Sequence, residues 1–194
     1  MRNLIVTQFI SLDGVIDSPG GGEHPSAGWT FKEVDFDPAA YEIKGREQEE
    51  AGALLMGRVS YQEFAPVWPG MTEDFAGYNA MPKYVVSTTL TETDPGWQPT
   101  TILRSSDNVA RLKEEDGAPI IVHGSATLAQ NLAAAGLVDR YNLLVFPVVL
   151  GAGKRLFTEG PNTGPTSSSM PATAMASFSP STTFAAEASW SGTK

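Results

Sequence analysis

Two stretches of this chain pass from a short apolar run, through a glycine, straight into a helical pattern. They constrain the fold more than any other feature. Residues 53–56 read Ala-Leu-Leu-Met and end at Gly57; residues 58–64 then carry Val59, Tyr61 and Phe64 at helical spacing. Residues 119–123 end at Gly124, and residues 125–135 form a second helical pattern closed by Gly136, a natural residue for a left-handed C-cap. Short, continuous apolar runs bounded in this way are strands covered on both faces. Strands that alternate with helices require a largely parallel sheet with helices on both sides.

The rest of the chain extends the alternation. Residues 4–10, 83–87, 101–104 and 140–149 read as further strands, the last dense in Leu and Val. Residues 38–51 read as a helix with Asp37 as N-cap and Pro38 as its first residue. Residues 108–115 read as another, starting near Asp107. The glycine-rich stretch 19–28 is a loop. After Gly160 the composition shifts to Ser, Thr, Pro and Gly. Residues of about 160–172 are read as a loop and about 173–191 as a closing antiparallel hairpin. The whole of 1–194 is read as one α/β domain.

Composition removes several classes of function. The formal charge of −9 is the wrong sign for a nucleic-acid backbone. With no cysteine and only His24 and His123 as histidines, disulfides, zinc thiolate sites and cysteine nucleophiles are excluded, and no metal site is expected. The N-terminal apolar run is broken by Thr7 and Gln8 and lacks a small-residue cleavage site, so it is not read as a signal peptide. No apolar stretch is long enough to span a bilayer, and a cytoplasmic protein is expected.

The glycine turns carry the chemistry. A helix N-terminus leaves amide N–H groups unpaired and partly positive, and glycine lets a phosphate come close to them. Arg58 follows the first turn, and Ser125, Ala126 and Thr127 follow the second. Neither turn matches the G-x-G-x-x-G or P-loop patterns, which sets aside an ordinary Rossmann domain or NTPase.

Several motifs, in order, resemble the dihydrofolate reductase-like proteins. Within them the chain is most similar to the reductase domain of bacterial bifunctional riboflavin-synthesis deaminase-reductases. The matching residues are Ser11-Leu12-Asp13-Gly14; Leu54 through Tyr61 with Phe64; residues 83–90; Val122 through Leu128; Gly136-Leu137-Val138-Asp139; and Pro147 through Gly151 with Gly153 through Phe157. The resemblance spans about residues 2–159. It implies a dihydrofolate reductase-like fold, a homodimer, NADPH as cofactor, and hydride transfer to a small planar heterocycle: a ribosylaminopyrimidine of the riboflavin pathway or a pterin- or folate-like ring. By position, Gly57, Arg58 and Ser60 fall at the 2′-phosphate side. Ser87, Thr88 and Thr89, with Arg104, cradle the adenosine end. Gly124, Ser125, Ala126, Thr127 and Leu128 hold the pyrophosphate, and Val15 and Ile16 sit beside the nicotinamide. The position at which dihydrofolate reductases carry an acid falls near Tyr41, with Glu42 beside it. The cysteines of a zinc deaminase are missing, so the chain is reductase-only.

Two residues are candidates for catalysis. His123, ending a strand just before the phosphate turn, is read as a proton or hydrogen-bond donor. Asp13 is read either as a substrate contact or as a turn residue bonding its own backbone. Trp29, after the glycine-rich loop, is a candidate lid. Glu47, Glu49 and Glu50 read as a solvated helix face, and Lys154 and Arg155 as surface residues or a substrate-phosphate contact. The competing reading of the whole chain is a nucleotide-binding protein that kept the fold without catalysis.

Overall fold

The structure is a computed structural model that describes residues 1–34, 38–71, 73, 75–91, 96–158 and 174–175. In chain order its elements are β1 (Leu4–Ser11), α1 (Trp29–Lys32), α2 (Pro38–Glu50), β2 (Ala53–Gly57), α3 (Arg58–Phe64), a 3-10 turn (Trp68–Gly70) and α4 (Ala76–Ala80). Then follow β3 (Lys83–Val86), β4 (Thr100–Leu103), α5 (Ser106–Glu114), β5 (Ile120–His123), α6 (Ala126–Ala134), β6 (Arg140–Phe146) and β7 (Ala174–Met175).

The strands form one sheet in the order β4-β3-β2-β5-β1-β6-β7. Every ladder between these strands is parallel. Parallel neighbours cannot be joined by a tight hairpin and need crossovers, which the helices supply. The strands alternate sides, and the alternation sorts the core into two faces. Leu4, Val6 and Ile10 of β1 pack with Val109 and Leu112 of α5 and Leu128 and Leu132 of α6. Ile5 packs on the other face with Leu54, Met56 and Val85, under Tyr61 of α3 and Tyr78 of α4. Further along that face, Trp29, Leu144 and Phe146 gather Phe9 and Tyr41.

The order of the strands positions the site. From β2 the chain steps outward to β3 and β4; from β5 it steps the opposite way, past β1, to β6. The carboxyl ends of β2 and β5 therefore flank a point at which the winding reverses, and open α/β sheets bind ligands at such points.

The expected strands and long helices are present, with ends shifted by a few residues. The strand expected over 140–149 stops at Phe146 because Pro147 has no N–H to continue the ladder, and Val148 N–H turns back onto the Phe146 carbonyl at 2.8 Å. Helices α1 and α4 and the 3-10 turn lie where no element is expected; each is only three to five residues long. The expected cap Asp37 lies outside the described residues. So does the expected hairpin, apart from Ala174 and Met175, which extend the sheet in parallel beside Leu143 and Leu144.

Candidate active site

The two glycine turns dovetail. Gly57 N–H donates to Ser125 Oγ at 2.8 Å, and Ser125 Oγ donates to Ser60 Oγ at 2.8 Å. Gly124 and Ser125 both take left-handed backbone, at φ 68° and 64°, which swings the chain from β5 across to the end of β2. A Cβ at Gly124 would lie 3.1 Å from Ser60 Oγ, and one at Gly57 would lie 3.4 Å from Ser125 Oγ. The positive φ favours glycine at Gly124, and a side chain there would also have to displace Ser60 Oγ. From beneath, Gln8 Nε2 donates to the Gly124 carbonyl at 2.7 Å. No side chain caps the start of α6, so the amides of Ala126, Thr127 and Leu128 face the turn as donors. Gly57 differs from the sequence-based expectation in one respect: its own amide is taken by Ser125, so the donor at that turn is the exposed Arg58, whose guanidinium bonds Gln62 one helical turn on, at 2.8 Å.

The same crest continues along the carboxyl ends of β3 and β4. Ser87 Oγ accepts from the amides of Thr89 at 3.2 Å and Leu90 at 3.0 Å, which curls the loop. Arg104 Nη1 donates to the carbonyls of Ser87 at 2.9 Å and Leu90 at 2.6 Å. Arg104 therefore struts this loop, while Thr88 and Thr89 are exposed at its tip. Sheet order brings these residues into one row: Arg104, then Ser87 to Thr89, then Gly57 and Arg58, then Gly124 and Ser125.

Val15 and Ile16 are buried behind β1. Val15 forms an antiparallel bridge with Arg155. Asp13 anchors this region: its carboxylate accepts from Ser11 Oγ at 2.7 Å and from the amides of Leu150 at 3.1 Å and Gly151 at 2.8 Å. The Ser11 hydroxyl, then the two amides, hold the group down at about 2, against the opposing effect of burial. The geometry is that of a turn residue that also clasps a second loop, and Arg155 belongs to the same clasp. Trp29 is not a lid. It is fully buried against Phe146, with its indole N–H donated to the Asp17 carbonyl at 2.9 Å.

His123 sits in an aromatic box of Phe64, Trp68 and Tyr78. Its Nδ1 shares a 2.7 Å hydrogen bond with the Tyr78 hydroxyl. Burial, with a smaller contribution from the Lys44 charge, pushes the imidazole down to about 4. Burial also raises the Tyr78 phenol. The neutral ring is therefore favoured, with one nitrogen an N–H donor and the other an acceptor.

The sequence reading missed a polar cluster on the same face. Lys44 and Glu47 of α2 point inward, with side chains only 14% and 11% exposed, and pair at 3.0 Å. Thr7 Oγ1 of β1 donates to Glu47 Oε2 at 2.6 Å and is also in contact with Lys44 Nζ. Burial lowers the Lys44 ammonium below the ordinary lysine range, which Glu47 partly offsets. Glu47 is therefore not part of a solvated face, as expected from its acidic neighbours. The available signal was the helical spacing of Tyr41, Lys44, Gln48 and Ala51, whose partly buried and polar character disguised it. Among the described residues, no group of three His, Cys, Asp or Glu side chains is placed to hold a metal, and no helix is long and apolar enough to cross a membrane.

The family model described as RibD C-terminal domain matches residues 2–177. The uncharacterized protein YyaP of Bacillus subtilis (strain 168) is 27% identical over 169 residues, covering 81% of each chain. The uncharacterized protein YwjB of the same organism is 26% identical over 161 residues, covering 81% of this chain and 84% of its own. Among solved structures, a putative riboflavin biosynthesis protein from Shewanella sp. PV-4 superposes with a TM-score of 0.57 at 24% identity, covering 81% of this chain and 84% of that one. At this identity the likeness is one of fold alone.

Proposed function

For a chain that belongs to the RibD C-terminal domain family, we propose an NADPH-dependent reductase that passes a hydride to a small planar heterocycle, a ribosylaminopyrimidine of the riboflavin pathway or a pterin- or folate-like ring. The observation that carries this reading is the dovetailed pair of turns at the carboxyl ends of β2 and β5. It offers uncapped amides at the start of α6, a left-handed glycine against Ser60, and an exposed guanidinium at Arg58, all at one reversal of the winding.

The donor set fits a dinucleotide. Gly124, Ser125, Ala126, Thr127 and Leu128 would hold the pyrophosphate through backbone amides. Arg58, one residue beyond Gly57 and two before Ser60, would meet a 2′-phosphate, to which a planar guanidinium is suited. Ser87, Thr88 and Thr89, strutted by Arg104, would form the adenosine rest, and Val15 and Ile16 the apolar wall beside the nicotinamide. When bound, the cofactor supplies the hydride. The chain supplies position: it fixes the crest through Ser125, Ser60 and Gln8, and excludes water on the β1 side through buried Val15 and Ile16. The same reading carries a cytoplasmic homodimer with no nucleic-acid partner; a monomer mass in sedimentation would remove the dimer.

One observation favours the competing reading, a nucleotide-binding protein without catalysis. Both candidate catalytic residues are engaged, His123 with Tyr78 and Asp13 in its turn. Fluorescence titration of NADPH tests what the two readings share: saturable binding is expected, and inertness to NADPH and NADH alike refutes both. Oxidation of bound NADPH by a candidate heterocycle then separates them. Arg58→Ala should weaken NADPH by about 10-fold or more, as for loss of a charge-assisted hydrogen bond, and NADH far less. Equal losses would remove Arg58 from the 2′-phosphate.

A further inference from the structure

Tyr78 belongs to α4, a helix of only five residues. A helix this short does not hold itself together, and its neighbours supply the hold. The buried Lys83 donates from Nζ to the carbonyls of Asn79 at 2.6 Å and Met81 at 2.8 Å. Asn79 Nδ2 donates to the carbonyls of Trp68 at 2.8 Å and Met71 at 3.0 Å, and Asn79 Oδ1 accepts from the Trp97 indole at 2.9 Å. Trp68 and Trp97 close on the Tyr78 ring, with centroids 4.5 and 5.7 Å away. Tyr78 is thereby buried and pinned against His123.

The bond between the two side chains has a direction. The Tyr78 hydroxyl and His123 Nδ1 are 2.7 Å apart, a separation usual where a hydroxyl donates and short for a ring N–H. The phenol has no other hydrogen-bond partner among the described residues, and burial raises it above its ordinary range, so it keeps its proton. If Nδ1 donated instead, the phenolic proton would be sealed in without an acceptor, which disfavours that arrangement by about 10-fold or more. The phenol therefore donates to the Nδ1 lone pair, and in a neutral imidazole the ring proton then sits on Nε2. Among the described residues Nε2 has no partner; the ring is half-buried, and Nε2 is not one of the fully buried polar atoms left unpaired. It is the open nitrogen of the ring, and His123 immediately precedes the Gly124 turn.

We infer that Tyr78 is a positioning residue: its hydroxyl fixes His123 as the Nε2–H tautomer, so that the open nitrogen beside the Gly124 turn is a hydrogen-bond donor and not a base or a nucleophile. A molecule bound against His123 must then offer it an acceptor, a carbonyl oxygen or an unprotonated ring nitrogen. In hydride transfer to a C=O or C=N bond that heteroatom gains negative charge, and a prearranged N–H donor beside it favours the transition state. The tautomer stands on the Tyr78 bond alone; its use in hydride transfer rests on the reductase reading.

His24 and His123 are the only histidines, so the test is direct. Long-range proton–nitrogen NMR spectra of the 15N-labelled full chain at pH 7, with His24→Gln to assign the two rings, should show the His123 proton on Nε2 in about 10-fold or greater excess over Nδ1. Tyr78→Phe should lower that excess about 5-fold, the ratio for one neutral hydrogen bond. Acylation of His123 by diethyl pyrocarbonate needs an open lone pair, and followed by peptide mass it should be faster in Tyr78→Phe by the same factor. The wild-type spectrum needs no variant, so it decides the tautomer even where Tyr78→Phe fails to fold. A wild-type proton on Nδ1, comparable amounts of the two tautomers, or acylation of wild type as fast as that of folded Tyr78→Phe overturns the assignment. Titration with NADPH keeps the two readings apart: a wild type with its proton on Nε2 that ignores NADPH overturns the reductase reading alone, and one that binds NADPH with its proton on Nδ1 overturns the role of Tyr78 alone.

Discussion

Removing the Ser125 hydroxyl should reveal how far the two glycine turns depend on each other. In Ser125→Ala, Gly57 N–H loses its acceptor and Ser60 Oγ loses its donor. A neutral hydrogen bond contributes about 0.5–1.5 kcal/mol net, and a partly buried amide left without an acceptor raises the loss toward 1–3 kcal/mol. The expected cost is about 2 kcal/mol. For a chain of this length that is a fall in Tm of about 4–8 °C. Ser60→Ala removes only one of the two bonds and should cost about 1 kcal/mol. Because that bond is counted in both single variants, Ser60→Ala/Ser125→Ala should fall short of the summed costs by about 1 kcal/mol. Urea denaturation of all four proteins reads these differences, provided the m-value is constant across the set. Strict additivity, or a Ser125→Ala cost below about 0.5 kcal/mol, would mean that the turns are held independently, and the crest would then be two separate loops.

Three further outcomes follow from the buried polar groups. Asp13 has its folded-state value depressed to about 2, so its contribution is complete above about pH 4 and disappears as pH falls toward 2; discounted for its partial exposure, Asp13→Ala should cost about 1–2 kcal/mol at pH 7, and the gap to wild type should close on acidification, whereas a gap that is constant from pH 7 to 3 would refute the clasp. His123 should keep an uncharged ring from pH 8 to pH 5, read from its side-chain NMR shifts, because burial holds it near 4; a midpoint near 6.5 would return it to the role of proton donor. Tyr61→Phe strands the buried Trp97 amide that donates to the Tyr61 hydroxyl at 3.0 Å, and should cost about 1–3 kcal/mol in urea, a loss of less than a few tenths contradicting the bond.

What could be read from the sequence was local. Leu54-Leu55-Met56 before Gly57, and Ile121-Val122 before Gly124, identify strand and turn because burial on both faces and a glycine stop are properties of consecutive residues. Sheet order is not. That β5 inserts between β1 and β2 depends on which apolar runs pair across the fold, and no single run encodes it. Asp13 shows the same limit: its turn was legible in Ser-Leu-Asp-Gly, but the amides it clasps are 137 and 138 residues away. Lys44 and Glu47 were misread for a different reason. An inward face is normally recognised by apolar spacing, and α2 instead turns charged residues inward, where Thr7 receives them.

The alternation of β1 ties the Gly124 turn to the polar cluster under α2. Adjacent side chains of a strand point to opposite faces, and here adjacent residues have different partners. Thr7 faces α2 and bonds Glu47. Gln8, buried on the opposite face, bonds the Gly124 carbonyl and steadies the turn proposed for the pyrophosphate. A slip of one residue in the pairing of β1 would exchange the two and bury an uncompensated charge from α2. The register of one central strand therefore sets both the buried Lys44–Glu47 pair and the turn proposed for the pyrophosphate. A change that loosens β1 at its pairing with β5 should lower stability and nucleotide binding together, whereas a change at the exposed Arg58 should weaken nucleotide binding alone.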